Sequence, residues 1–391
     1  MFLRKNSSRK RIFRRDSLKV QSSCAIYIYS INAGIKESAK GENMLKQISD
    51  FLHNRYQLCE YPALAYQFRK WNEEKPLSGK KLLDGTPVFT NTLLKYASLI
   101  AAGAELSVGY SRNIPYDPEI ISFLTKIGIP CIDQCKVGEF DVIMDCNGVY
   151  RDKKPKYGFV ELTRSGAYRF AGINEPVIMV DDSRIKAIET CLGTGESFLR
   201  GMKQLGYHDI SGKKIVVFGC GKVGRGVVFY AGRAGAEVFA IDDPAAVISH
   251  VGGTLVSRFD RENVLDLLKN AWCVVTATGK ALSLADQEFI DILNNGDQLV
   301  ANMSVEDEWG SGISPERVLN RKQPLNFMLS EPTLLQYIDP TLALHSHAAL
   351  ELIRSDYLPG IRKASLEVEQ EYWDIVEKNG IIAPELSAAG L

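Results

Sequence analysis

No apolar run in the sequence approaches the ~20 residues that a membrane span requires, and there is no net charge, 47 Lys and Arg standing against 47 Asp and Glu. A balanced, interspersed charge gives no field to gather nucleic acid or an anionic membrane, so neither is expected as a partner. Cysteine is sparse, eight in 391 residues. The nearest pair, Cys131 and Cys135, has neither a second pair nor a histidine couple to complete a zinc site. Reduced thiols in a cytoplasmic protein without a structural metal are the expectation. Histidine is scarcer still, with five. His345 and His347 stand two apart before an apolar helical pattern, and no third metal ligand lies near them in sequence.

The first fifteen residues carry seven Lys or Arg and no acid, and the apolar stretch after them, Cys24 to Ile31, lacks the length and cleavage site of a secretory signal. Residues 1–43 are read as a basic, disordered extension, or as the product of an upstream start with Met44 the true beginning. A helical pattern of Leu45, Ile48, Phe51 and Leu52 begins only there.

Length and alternation are what the chain does have. It fits two domains of ordinary size. Between Lys80 and Val180 helical patterns (Thr92 to Ala102, Pro118 to Ile127) alternate with strand-like runs (Ala104 to Val108, Asp141 to Met144, Gly158 to Glu161, Val177 to Val180). A long helical stretch, Ser183 to Leu205, reads as a hinge. The second half alternates again, with KKIVVFG, AEVFAID and WCVVTATG as strands. Continuous apolar strands between helices signal parallel β/α winding. The expected fold is α/β with two doubly wound parallel-sheet domains, a substrate-type domain over 44–204 and a Rossmann domain over 205–345. A helical segment, 346–391, comes last, and its amphipathic part (Ala364 to Glu377) packs back on the first half or on another subunit.

Directly after KKIVVFG comes Gly219-Cys220-Gly221-Lys222-Val223-Gly224, a G-x-G-x-x-G at a strand-to-helix junction. Its glycines allow the tight turn, the approach of a pyrophosphate and close helix–strand packing, and the helix N-terminus supplies amide donors. Eighteen residues past Gly224 the next strand ends in Asp242, a carboxylate placed for adenosine ribose hydroxyls and against a 2′-phosphate, which argues for NAD. Thr278 and Gly279 end a later strand at the edge where ligands bind, or form an ordinary turn. Asn302 and the acids Glu306, Asp307 and Glu308 come after the next strand, the acids read as a solvated helix cap. Lys186, on the hinge helix after Asp181-Asp182, is either solvated or, if desolvated, a proton-transfer group.

The Rossmann stretch GKKIVVFGCGKVGRGVVFYAGRAGAEVFAIDDP resembles the S-adenosylhomocysteine hydrolase family. So do, in the family's order, YPALAYQFRK, KPLSGKKLLDG, AAGAEL, the Asn113-Ile114 pair, KIGIPC, VIMDCNG, VELTRSG and PVIMVDDSRIK, over residues 60 to 355 or so. Glu331 in LSEPTLLQY resembles one further element. The resemblance implies a tightly held NAD that oxidises a ribose hydroxyl of a small-molecule substrate, then proton removal, elimination, addition of water and return of the hydride. It also implies a homodimer or homotetramer and a place in one-carbon metabolism.

Carried over residue by residue, Lys186 stands at the family's catalytic lysine; Glu161, Asp145, Glu189 or His347 are the candidate partners in its proton transfer. Gly219, Gly221, Lys222, Val223, Gly224, Asp242, Thr163, Ser165, Thr278, Gly279 and Asn302 stand at cofactor positions. The substrate half departs from the pattern. Where the family has Asp-Asp-Gly-Gly-Asp this chain has Asp145-Cys146-Asn147-Gly148-Val149, and where it has Glu-Glu-Thr-Thr-Thr the chain has Glu161-Leu162-Thr163-Arg164-Ser165. Each keeps the first acid and loses the second. Pro87-Val88-Phe89 replaces His-Met-Thr, and Val305 replaces a histidine. The expectation is an NAD-dependent enzyme acting on another hydroxyl-bearing, nucleoside-like substrate, against two alternatives: a non-catalytic NAD-binding regulator, or a genuine hydrolase with a shifted site.

Overall fold

The computed structural model describes residues 39–247 and 252–391; the extension expected over 1–43 therefore lies outside it up to residue 38. The first helix, Ala39–Leu52, begins five residues before Met44 and seats Leu45, Ile48 and Leu52 in the core. Among the described residues no helix is long and apolar enough to cross a membrane.

Two parallel sheets organise the chain. The first holds β1 (Lys81–Asp84), β2 (Glu105–Tyr110), β3 (Cys131–Asp133), β4 (Val142–Asp145), β5 (Gly158–Glu161), β6 (Pro176–Met179) and β12 (Gly360–Lys363) in the order β12-β6-β5-β4-β1-β2-β3. The second holds β7 (Lys214–Phe218), β8 (Glu237–Asp242), β9 (Thr254–Ser257), β10 (Cys273–Thr276) and β11 (Leu299–Asn302) in the order β11-β10-β7-β8-β9. Each is a doubly wound sheet whose order reverses beside its first strand, between β1 and β4 in one and between β7 and β10 in the other. At such a switch point neighbouring loops diverge and leave a crevice at the strands' carboxyl ends. The central strands have apolar, buried interiors, as in Ile215, Val216, Val217 and Phe218, because helices cover both faces.

The chain returns to the first sheet earlier than a boundary at 345. One helix, Leu335–Arg354, runs through that boundary and packs on β4, β5 and the helices Pro62–Glu74 and Thr92–Ala101. Its Asp339 is buried and accepts the N–H groups of Ala63 (2.9 Å) and Leu64 (2.8 Å), two of the orphan donors at the start of helix Pro62–Glu74. Burial holds the Asp339 carboxyl at about 7, despite those two donors. β12 then joins the edge beside β6, and helix Leu366–Asn379 packs against Leu335–Arg354 and Pro62–Glu74.

The hinge is one helical run in three parts: Arg184–Ala187, a π segment Ile188–Gly193, and Thr194–Gln204. It crosses the helix after the glycine loop, Lys222–Arg233, at backbone contact. A Cβ on Gly226 would lie 1.8 Å from the Cys191 carbonyl oxygen, and one on Gly195 would lie 2.3 Å from the Gly226 carbonyl. Neither neighbour is a flexible side chain, so the crossing tolerates no side chain there. Gly226→Val is therefore expected to lose at least about 1–3 kcal/mol through overpacking, measured as a fall in urea midpoint against the parent chain; unchanged stability would contradict the crossing.

Candidate functional site

The carboxyl ends of both sheets open on one cleft of about 240 Å³, lined from the first unit by the loops after β1, β2, β4 and β5 and from the second by Val223, Met303, Val305 and the 324–333 segment. The hinge helix forms its floor with Lys186, Glu189 and Thr194. Ser183 caps that helix by accepting the Lys186 N–H at 3.1 Å, which sets the first turn and so the direction of the Lys186 side chain.

The Lys186 ammonium donates to Glu189 Oε1 at 2.6 Å, one helical turn on, and is almost fully buried. Burial alone would lower its pKa, but Glu189 and then Asp181 outweigh the burial and hold it above the ordinary value. Lys186 is thus a charged donor at neutral pH, not a free amine. The other Glu189 oxygen, Oε2, is buried without a hydrogen-bond partner.

Asp145 and Glu161 are not in the cleft, which corrects their reading as partners of Lys186. They lie side by side in the β4–β5 register, fully buried, and their oxygens are taken up by backbone. Asp145 accepts from the N–H groups of Cys146 (2.7 Å), Val149 (3.1 Å) and Tyr150 (2.8 Å). Glu161 accepts from those of Asn147 (2.9 Å), Gly148 (3.0 Å) and Thr163 (2.7 Å), and from the Thr163 hydroxyl (2.6 Å). They shape the two loops at the switch point. Their successors in the chain, Cys146 and Leu162, are the residues that line the cleft. Burial raises both carboxyls, their mutual repulsion adds to the Asp145 shift, and the backbone donors oppose it.

His347 also stands elsewhere than its sequence position suggests. It lies inside helix Leu335–Arg354, with Nδ1 3.2 Å from the Tyr372 hydroxyl and its ring 6.0 Å from that of Trp71, away from the cleft. His345, two residues earlier and so on another face of the helix, meets the buried Lys95 ammonium at 2.8 Å. Among the described residues no group of His, Cys, Asp and Glu is placed to hold a metal ion.

On the second sheet the glycine loop has the form of a dinucleotide cradle. Gly219 has φ +94°, and a Cβ there would strike the backbone of Ala277 and Thr278. A Cβ on Gly224 would lie 1.8 Å from the Gly219 oxygen. Gly221 is different: its φ is −75° and a Cβ would meet nothing within 4 Å. No packing contact requires glycine there, so the open space at the helix N-terminus fits a group that approaches the backbone from outside, as a pyrophosphate does. Asp242 accepts the Cys220 N–H at 2.6 Å and the Asp243 N–H at 2.7 Å, tying the loop to the end of β8.

The remaining expected cofactor residues divide. Val223, Thr163 and Ser165 line the shared cleft. Thr163 also caps helix Arg164–Arg169 through the Gly166 N–H. Lys222 reaches across to the other unit, its ammonium 2.6 Å from the Asp181 carbonyl and 3.3 Å from its carboxylate. Thr278 pairs with Ser283 at 2.7 Å, and Gly279, exposed with φ +69°, gives its N–H to Glu308. Asn302 is spent internally. Its amide bridges Thr276, Ser304 and the Lys322 carbonyl, so it holds the loop after β11 instead of presenting a group to a ligand.

Glu308, read as a solvated cap, is buried; burial raises its carboxyl, opposed by the Gly279 and Thr278 donors, and its Oε2 has no partner. Sequence reasoning missed Thr86, Asn147, Thr194 and Asn326 on the cleft wall. Neutral polar residues of this kind carry no motif, and only the topology assembles them. Glu331 accepts from the Tyr56 hydroxyl beside the cleft, whose wall includes the next two residues, Pro332 and Thr333.

No protein-family model matches the chain. Among curated proteins it is similar to the adenosylhomocysteinase of Thermococcus kodakarensis, 24% identical over 296 residues, covering 67% of this chain and 66% of that protein. It is similar to the S-inosyl-L-homocysteine hydrolase of Methanosarcina mazei, 26% identical over 263 residues (58% and 62%), and to the adenosylhomocysteinase of Sulfolobus acidocaldarius, 28% over 264 residues (60% and 62%). The chain spans a little under two thirds of the length of these relatives. Among solved structures it is similar to a dipicolinate synthase chain of Bacillus halodurans (TM-score 0.49, 13% identity, 71% of this chain and 99% of that one). A transhydrogenase from Sinorhizobium meliloti gives a TM-score of 0.45 at 14% identity, over 70% and 95%.

Two measurements check this geometry. Gly221→Ala is expected to cost about 1 kcal/mol of stability or less while weakening dinucleotide binding at least about tenfold, because the added methyl fills only the ligand's space; equal binding by calorimetry would remove the cradle. Burial lowers His347 from 6.5 to about 4, with Lys70 and Arg354 assisting and Glu371 opposing. A depressed folded-state pKa gives stability that is present above 6.5 and lost as pH falls through 4. His347→Gln should thus flatten the decline in melting temperature between pH 7 and 4 by the equivalent of roughly 2 kcal/mol; parallel curves would contradict the burial. By its sequence likeness to these enzymes, carried on two doubly wound sheets, the chain is a divergent relative of the S-adenosylhomocysteine hydrolases.

Proposed function

We propose that the chain is a nicotinamide-dinucleotide-dependent enzyme that oxidises a hydroxyl group of a small substrate held in the cleft between its two sheets. The observation that carries this reading is that the buried Lys186–Glu189 pair lines the same cleft as Val223 of the glycine loop. Residues from 44 through the hinge, with Leu335 onward, form the substrate unit, and those between form the dinucleotide unit. Asp242 favours NAD, since a carboxylate at the end of β8 repels a 2′-phosphate.

A bound nicotinamide ring supplies a hydride acceptor. The chain's own part is to hold the alcohol and move its proton. The Lys186 ammonium donates to the substrate oxygen and stabilises it as the O–H proton leaves. Glu189 Oε2, which has no partner, receives that proton. A lysine kept charged in this way works as an electrostatic stabiliser, not as the base. Elimination after oxidation, the chemistry that the family resemblance implies, would use Glu189 again for the acidified neighbouring C–H only after its first proton had passed to water in the open cleft. The apolar cleft residues Phe89, Cys146 and Leu162 favour a substrate other than that of the curated relatives.

The test is titration of the purified chain with NAD and NADP, then absorbance at 340 nm as nucleosides and simple alcohols are offered. NAD is expected to bind more tightly than NADP and to be reduced by at least one alcohol. Lys186→Met should slow reduction at least about a hundredfold with NAD affinity kept. Absence of binding by either dinucleotide sinks the reading, and NAD bound but never reduced makes the chain a dinucleotide-binding regulator.

A further inference from the structure

The charge on the cleft wall bears on its occupant. Among the described residues its only acid and only base are Glu189 and Lys186, and these neutralise each other at 2.6 Å. Asp181, which also faces Lys186 electrostatically, is matched by Lys222. Among those same residues no arginine and no histidine lines the cleft. An anion entering it would lose its hydration and meet no uncommitted cation, which is costly for a buried charge. Two acceptors on its lining residues, Glu189 Oε2 and Asn147 Oδ1, are shielded from water and lack a hydrogen bond. A buried acceptor left unpaired needs a donor from somewhere, and the occupant of the cleft is the natural source. The rest of the wall is mostly apolar, ending in Val305 and Phe327 as partly exposed lips.

Resting on the reading of the cleft as a substrate site, we infer that its substrate class is an uncharged alcohol with an apolar body and a second hydrogen-bond donor, and that the site rejects the same body once it carries a carboxylate or phosphate. One donor serves the Lys186–Glu189 pair as the reacting hydroxyl. The second is held by Asn147, which makes Asn147 a specificity-determining residue. Its position is fixed from below, because its own N–H is bound by Glu161 Oε1 (2.9 Å) and Thr163 Oγ1 (3.0 Å), and its carbonyl by Arg169 (2.8 Å). The two switch-point loops therefore aim this side chain together.

The experiment uses matched probes on the full chain loaded with NAD, with affinities read by calorimetry. One frame is 1-phenylethane-1,2-diol, 1-phenylethanol and mandelate; the other is adenosine and adenosine 5′-monophosphate. Within each frame the anionic member should bind at least about tenfold more weakly than the neutral diol, and 1-phenylethanol several-fold more weakly than the diol, as expected for one lost hydrogen bond in a buried site. Asn147→Leu should bring the diol-to-mono-alcohol ratio close to one. Anions bound as well as neutral diols, an Asn147→Leu ratio like that of the parent, or no binding by either diol overturns the inference. NAD titrated alone keeps the two readings apart: no dinucleotide binding refutes the proposed function, whereas NAD bound with anions preferred refutes only the substrate class. Asn147→Asp is the second variant. It keeps an acceptor where Oδ1 stands and replaces the amide donor with charge, so it should keep the preference for the diol and reject mandelate more strongly.

Discussion

Everything functional in this chain depends on the contact between two helix backbones at Gly195, Gly226 and Cys191. The hinge helix carries Lys186 and Glu189, and the helix that crosses it begins at the glycine loop. Because the two meet without intervening side chains, the separation between ion pair and loop is set by backbone geometry, the least adjustable part of a protein. Lys222 adds a polar tie on the open side, from the first turn of that helix to Asp181 at the end of β6. The two sheets are thus referenced to one another from behind by packing and from in front by a charge.

A second theme is the use of carboxylates, three of them buried, as scaffolding. Asp145, Glu161, Asp339 and Asp242 each accept at least two backbone N–H groups. A carboxylate can gather several donors at once, which makes it well suited to organise a loop whose amides have no strand to pair with. Asp145 and Glu161 build the switch-point loops, and the residues after them, Cys146 and Leu162, line the cleft.

Most inner strands were legible because they are short apolar runs between helical periodicities, and the glycine fingerprint because its context was complete; the central strand Lys81–Asp84, with two apolar residues between its charged ends, was not. The edge strands Cys131–Asp133, Thr254–Ser257 and Gly360–Lys363 were not, since a half-exposed strand of three or four residues has no period to read. Helix Leu335–Arg354 was hidden by Pro340, normally a helix boundary. Here Pro340 lies in the second turn of the helix and is fully buried, so packing overrides the signal, and His345 and His347 move from a loop into the core. Lys186, singled out by its place on the hinge and by the resemblance, and Glu189, one of its candidate partners, both line the cleft. Asp145, Glu161 and Asn302 were misassigned because sequence gives a residue's identity and not the partner that occupies it.

The π segment Ile188–Gly193 has a consequence for how such a site can change over time. A π turn holds one residue more than an α turn, which rotates the later part of the helix by about 100° relative to the earlier part. Lys186 thus belongs to one helical phase, and the glycine face that meets the neighbouring helix to another. Insertion or loss of a single residue between Glu189 and Cys191 would swing the ion pair around the axis relative to the glycine crossing. The hinge behaves as an indexing joint, in which the chemistry presented to the cleft is adjustable in discrete steps while the assembly of the two units is held constant.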